Sequence, residues 1–198
     1  MKRIATIQYI TQDHPLLSHA EQAKRMFENG IKWVQIRMKN NTKQEIIQQA
    51  RIVLEYAKKY NATVIINDHI DICKEVGAHG VHVGLQDVSV AEARKYLGAH
   101  SIIGGTANRI EDIEWHTRNG ADYIGLGPFR YTTTKKNLSP IIGLEGYTSL
   151  VAEIHTRNIT IPIVAVGGIT MNDISPIQAT GIYGVALSTG LLNSTLKL

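Results

Sequence analysis

Five short polar signatures carry the residue types that could do chemistry in this chain: Gln35-Ile36-Arg37-Met38-Lys39, Asn67-Asp68, Asp87, Thr132-Thr133-Thr134-Lys135 and Gly167-Gly168-Ile169. Together they describe a pocket for a metal-bound diphosphate. Asp68 and Asp87 offer oxygen donors with no cysteine or paired histidine nearby, which suits a hard cation such as Mg²⁺. Arginine and lysine suit the phosphoryl oxygens that the cation leaves free. Either aspartate alone would also serve as a helix N-cap. Two of them on neighbouring strand ends would repel until one took a proton, and a divalent cation removes that conflict.

Alternation along a strand puts Gln35, Arg37 and Lys39 on one face and Val34, Ile36 and Met38 on the other. The polar row is expected to face the inside of a barrel toward its mouth, because a helix layer has no use for it. Thr132, Thr134 and Lys135 place hydroxyl donors and an ammonium in a long irregular segment, 127–143, of the length that binding loops reach. Gly167 and Gly168 let backbone N–H groups approach a phosphate, and Leu187-Ser188-Thr189-Gly190 leads into a short helical stretch. His79 and His82 are three apart on a strand, so they point to opposite faces and make a poor metal pair; both are expected to be core or structural. Trp33 and Trp115 read as packing residues and Cys73 as a small buried one.

Apolar runs and their period give the elements that must position these groups. Short Ile- and Val-rich strands are expected near 4–10, 32–37, 63–67, 79–83, 101–105, 121–126, 161–166 and 182–187. Helical patterns lie near 15–29, 42–60, 69–76, 88–97, 109–119, 144–157 and 170–179, with a last stretch at 189–196. Gly30, Gly77, Gly98, Gly120 and Gly181 each stand just before the next strand, where a helix must end. Eight such units predict a (β/α)₈ TIM barrel with its phosphate grip after the last two strands; an open doubly wound sheet is the alternative. At 198 residues the chain is short for a barrel, which typically has about 250, and no linker divides it, so one domain over 1–198 is expected.

Composition narrows the functional classes. The net charge of +4 and pI near 9.1 come from scattered Lys and Arg with no aromatic interleaving, so nucleic acid is not the expected partner. A modest positive field favours anionic small molecules instead. No apolar run is long enough to cross a bilayer, and a single cysteine forms no internal disulfide, which fits a cytoplasmic protein. A homo-oligomer is left open.

In this order, and over nearly the whole chain, the signatures resemble the thiamine phosphate synthase and TenI family. Val34-Gln35-Ile36-Arg37-Met38-Lys39 is similar to its Q-[LI]-R-x-K, Ile66-Asn67-Asp68 to I-N-D, and Gly80-Val81-His82-Val83-Gly84-Leu85-Gln86-Asp87 to G-V-H-L-G-Q-x-D. Gly125-Leu126-Gly127-Pro128 followed by Thr132-Thr133-Thr134-Lys135 is similar to G-x-G-P…T-x-T-K, with Gly143-Leu144-Glu145 beyond it. The resemblance implies a barrel that joins hydroxymethylpyrimidine diphosphate to thiazole phosphate and releases pyrophosphate. It implies Asp68 and Asp87 as Mg²⁺ ligands, and Gln35, Arg37, Lys39, Asn67, Thr106 and Lys135 as contacts of the pyrimidine diphosphate. Thr132 to Thr134, Gly168, Leu187 and Ser188 would hold the thiazole phosphate, and Arg37, Lys39 and Lys135 would stabilise the leaving group.

Two positions depart from the pattern. Thr106 stands where the family has serine and keeps its hydroxyl, whereas Asn108 stands where it has histidine. In the TenI branch that histidine is thought to move the proton that aromatises the thiazole, and asparagine cannot titrate. A TenI-like tautomerase, a silent barrel that binds a thiamine precursor, and a Schiff-base aldolase using Lys39 are the competing expectations.

Overall fold

Strands buried on both faces need continuous apolar runs, and the chain supplies eight of them. In the computed structural model, which describes residues 4–131 and 140–192, these runs form β1 (Ile7–Ile10), β2 (Trp33–Ile36), β3 (Thr63–Asn67), β4 (Gly80–Val83), β5 (Ile102–Ala107), β6 (Tyr123–Leu126), β7 (Ile163–Val166) and β8 (Gly184–Leu187). Every strand is parallel to the next, and β8 pairs with β1 through Tyr9 opposite Leu187, so the barrel closes. The intervening helices are α1 (His19–Glu28), α2 (Lys43–Tyr60), α3 (Ile70–Val76), α4 (Val90–Leu97), α5 (Ile110–Arg118), α6 (Gly143–Thr156), α7 (Ile174–Ala179) and α8 (Thr189–Leu192). The (β/α)₈ barrel expected from the pattern is the fold observed. Among the described residues no helix is long and apolar enough to cross a membrane.

Local chemistry sets the helix ends. Ser18 with Glu21, Thr42 with Glu45 and Ser89 with Glu92 form reciprocal capping boxes at α1, α2 and α4, each cap worth about 1 kcal/mol. The five punctuating glycines all take positive φ; Gly77, at 67°, ends α3 by donating back to Cys73 and Lys74 carbonyls. The stretch expected to be helical over 170–179 splits into a 3₁₀ turn, Met171–Asp173, and α7. Pro176 explains the split, because it has no N–H to donate to the carbonyl four residues back.

Two cores result. The larger lies between barrel and helices. The smaller plugs the barrel floor with Trp33, Ile65, Ile102, Tyr123, Val164 and Ala186, Trp33 meeting Tyr123 edge-on at 4.8 Å. Trp115, expected to pack, is instead 60% exposed, since the buried stripe of α5 runs through Ile110, Ile113 and His116.

Candidate active site

Above the floor plug the barrel opens into a cavity of about 930 Å³ at the C-terminal ends of the strands. Catalytic pockets of this fold lie at that face. Strand alternation decides what lines it. Gln35, Arg37 and Lys39 face the cavity, while Ile36 and Met38 are buried in the layer beneath the helices. A side-chain role at the substrate for Ile36 and Met38 is therefore not what this geometry offers. Arg37 is set by its backbone N–H, which donates to Thr11 Oγ1 at 3.0 Å.

The two aspartates converge as the pattern requires. Asp68 follows β3, Asp87 follows β4, and their carboxyls are hydrogen-bonded to each other. Lys39 forms an ion pair with Asp68, and Asp87 Oδ2 accepts the Gly84 N–H at 2.8 Å. Burial pushes the Asp68 carboxyl up, with Asp87 adding to the rise and Lys39 opposing it. Asp87 is held low despite its own burial, by the hydrogen bond from Asp68, the Gly84 N–H and the charges of Lys39 and His69. The two carboxyls are thus unequal, Asp68 holding a proton more tightly than Asp87. Asp68 also sits at φ 65°, held there as its N–H donates to His82 O at 2.8 Å. Such conformations are unfavourable by about 1–3 kcal/mol, and they gather at functional sites. Neither aspartate caps α3, whose N-cap is His69.

This donor set fits a divalent cation, whose charge would relieve the repulsion between the two neighbouring carboxylates. Among the described residues no third carboxylate, histidine or cysteine joins the pair, so further ligands would come from phosphate oxygens and water.

The opposite rim is built from glycines. Gly167 and Gly168 take φ of 100° and 68°, and both line the cavity with Asn67, Thr106, Leu187 and Ser188. The chain leaving β6 docks onto this turn: Phe129 N–H donates to Val166 O at 2.9 Å and Arg130 N–H to Gly167 O at 3.1 Å. Arg130 then grips Asp173 with both guanidinium nitrogens, at 2.6 and 2.8 Å, and donates to Gly168 O at 2.8 Å. A Cβ on Gly168 would lie 2.4 Å from Arg130 Cγ, so the position must stay bare. Thr132, Thr133, Thr134 and Lys135 lie outside the described residues.

Several groups of the cavity lie outside the signatures legible in the sequence. Gln12 Oε1 accepts the hydroxyls of Ser188 at 3.1 Å and Thr189 at 2.7 Å, tying the loop after β1 to the loop after β8. Its signal was the inward row Gln8, Ile10, Gln12. His82 lies on the inward face of β4 and lines the cavity, whereas His79 accepts the Val64 N–H at 3.0 Å and is structural. His82 is thus more than a core histidine. Asn108, at the departure noted above, lines the cavity and donates to Gly127 O.

A profile described as thiamine monophosphate synthase matches residues 7–191. The chain belongs to the thiamine monophosphate synthase family. It is 47% identical over 188 residues to a thiamine-phosphate synthase of Phocaeicola vulgatus, covering 95% of this chain and 90% of that one. A thiamine-phosphate synthase of Flavobacterium johnsoniae is 44% identical over 191 residues, covering 96% and 90%. Among solved structures, a thiamine phosphate pyrophosphorylase of Pyrococcus furiosus superposes with a TM-score of 0.83 at 27% identity, covering 96% and 88%. The family's motifs fall on the cavity face of the barrel: Gln35, Arg37 and Lys39 on one side, Asn67, Asp68 and Asp87 beside them, Gly167 and Gly168 across.

Proposed function

We propose that the chain condenses hydroxymethylpyrimidine diphosphate with thiazole phosphate, giving thiamine phosphate and pyrophosphate, with Mg²⁺ held by Asp68 and Asp87. The observation that carries the metal assignment is the hydrogen-bonded pair of carboxyls beside Lys39 and Arg37 in one cavity. Mg²⁺ bound there would neutralise charge that collects on the departing diphosphate. Arg37 and Lys39 stand beside the aspartates as fixed cations for the same oxygens, and Lys135 is assigned the same role by its motif.

The bond between the pyrimidine methylene and the diphosphate oxygen breaks, and the oxygen keeps the electron pair. The thiazole nitrogen then supplies its lone pair to the methylene carbon, forming the new C–N bond, so the chemistry needs no protein nucleophile. Gln35, Asn67 and Thr106 hold the first substrate; Gly167, Gly168, Leu187 and Ser188 hold the phosphate of the second and so align its nitrogen. Asn108, which cannot move a proton, argues against a tautomerase. A cytoplasmic setting suits such a reaction between small anions.

Incubating the purified chain with both precursors should release pyrophosphate and thiamine phosphate with Mg²⁺ and neither after chelation. Full turnover in chelator would reject the metal assignment; thiazole isomerisation without pyrophosphate release would favour the tautomerase.

A further inference from the structure

Along the wall and floor of the cavity, two residues assigned to the pyrimidine diphosphate are joined through three that are not. Gln35 Nε2 donates to Gln8 Oε1 at 3.3 Å, and Gln8 Nε2 to the Tyr123 hydroxyl at 3.4 Å. That hydroxyl lies 3.0 Å from His82 Nδ1, and His82 Nε2 lies 2.9 Å from Thr106 Oγ1. The barrel makes room for the run. A Cβ on Gly104 would lie 2.2 Å from the Tyr123 ring, and one on Gly125 2.9 Å from the His82 ring. Glycine inside a strand weakens it and marks a close approach, so two of them here indicate that the polar run is built in.

The run has a direction. Tyr123 is fully buried, and burial pushes its phenol up, so it stays protonated. Its oxygen accepts from Gln8, which leaves its O–H for His82 Nδ1. A neutral imidazole with Nδ1 accepting carries its hydrogen on Nε2, and that hydrogen goes to Thr106 Oγ1. Thr106 then accepts from below and keeps its own O–H for the cavity. Reversed, the run would commit the threonine proton to histidine and face an acceptor-rich ligand with lone pairs alone.

We propose that Tyr123 and His82 are positioning residues that fix Thr106 as a hydrogen-bond donor toward an acceptor atom of the pyrimidine diphosphate. This rests on the assignment of Thr106 to that substrate.

Two measurements on the full chain test it. Long-range ¹H–¹⁵N correlation spectra should show the His82 ring neutral with hydrogen on Nε2; hydrogen on Nδ1 overturns the proposal. In steady-state kinetics, Thr106→Val and Tyr123→Phe should each raise KM for the pyrimidine diphosphate about tenfold, the worth of one hydrogen bond, while Thr106→Ser stays near wild type. Adding Tyr123→Phe to Thr106→Val should then change little, because the phenol acts only through the missing hydroxyl. An unchanged KM in Thr106→Val overturns the substrate contact and the proposal with it. A raised KM there with additive effects in the double variant overturns the relay and leaves the contact standing.

Discussion

Replacing Asp173 with asparagine keeps the shape of the clamp on the Gly167–Gly168 turn and removes its charge. In the folded chain the carboxylate receives two N–H groups of Arg130, and the Thr170 N–H and hydroxyl at 2.7 and 2.6 Å. Arg130 foremost, with Thr170 adding and burial opposing, holds the carboxyl at about 2 against an ordinary 3.8. That difference corresponds to roughly 2.5 kcal/mol at about 1.36 kcal/mol per pH unit. Arg130 is 44% exposed, so water and salt screen the pair, and about 1 kcal/mol is the figure to expect. The folded value is depressed, so this stability is complete above the unfolded value and is lost as pH falls toward the folded one. Urea unfolding should therefore find Asp173→Asn weaker by about 1 kcal/mol at pH 7, or some 2–4 °C in Tm, with the gap closing below about pH 4. KM for thiazole phosphate should rise as well, because Arg130 also holds Gly168 O. A gap that stays constant from neutral pH down to about pH 3, or no gap at neutral pH, would refute the clamp as an electrostatic device.

Three other substitutions probe separate parts of the site. Asp68→Ala should lower turnover on the order of 10²–10³-fold in a pyrophosphate-release assay, and near-normal turnover would reject its place at the metal. Gly104→Ala puts a methyl 2.2 Å from a buried ring that cannot retreat past Trp33, so the denaturant midpoint should fall by the equivalent of about 1–3 kcal/mol; an unmoved midpoint would contradict the packing of Tyr123. Gln12→Leu releases the hydroxyls of Ser188 and Thr189 and should raise KM for thiazole phosphate up to about tenfold, leaving KM for the pyrimidine diphosphate unchanged; equal effects on both would show general damage instead.

What the sequence made legible follows from period. Side chains alternate along a strand whatever their neighbours, so the inward row Gln35, Arg37, Lys39 was readable from three residues, and glycine before five of the strands marked where the preceding helices stop. The convergence of Asp68 and Asp87 needed only that consecutive strands be neighbours, which parallel β/α order enforces. Closure of the barrel produces contacts that no local pattern contains. Gln12 meets Ser188 only because β1 pairs with β8, and Tyr123 reaches His82 across the interior from a strand 41 residues away. His82 was set aside because its partner was sought three residues off, at His79, on a strand whose alternation separates them. The inward-facing partners were a phenol and a threonine, and the glycines at 104 and 125 were the trace that the Tyr123 and His82 rings left in the sequence. An inward glycine on a buried strand is better read as the imprint of a large neighbour than as a gap, and here both imprints point to the same polar run beneath the substrate.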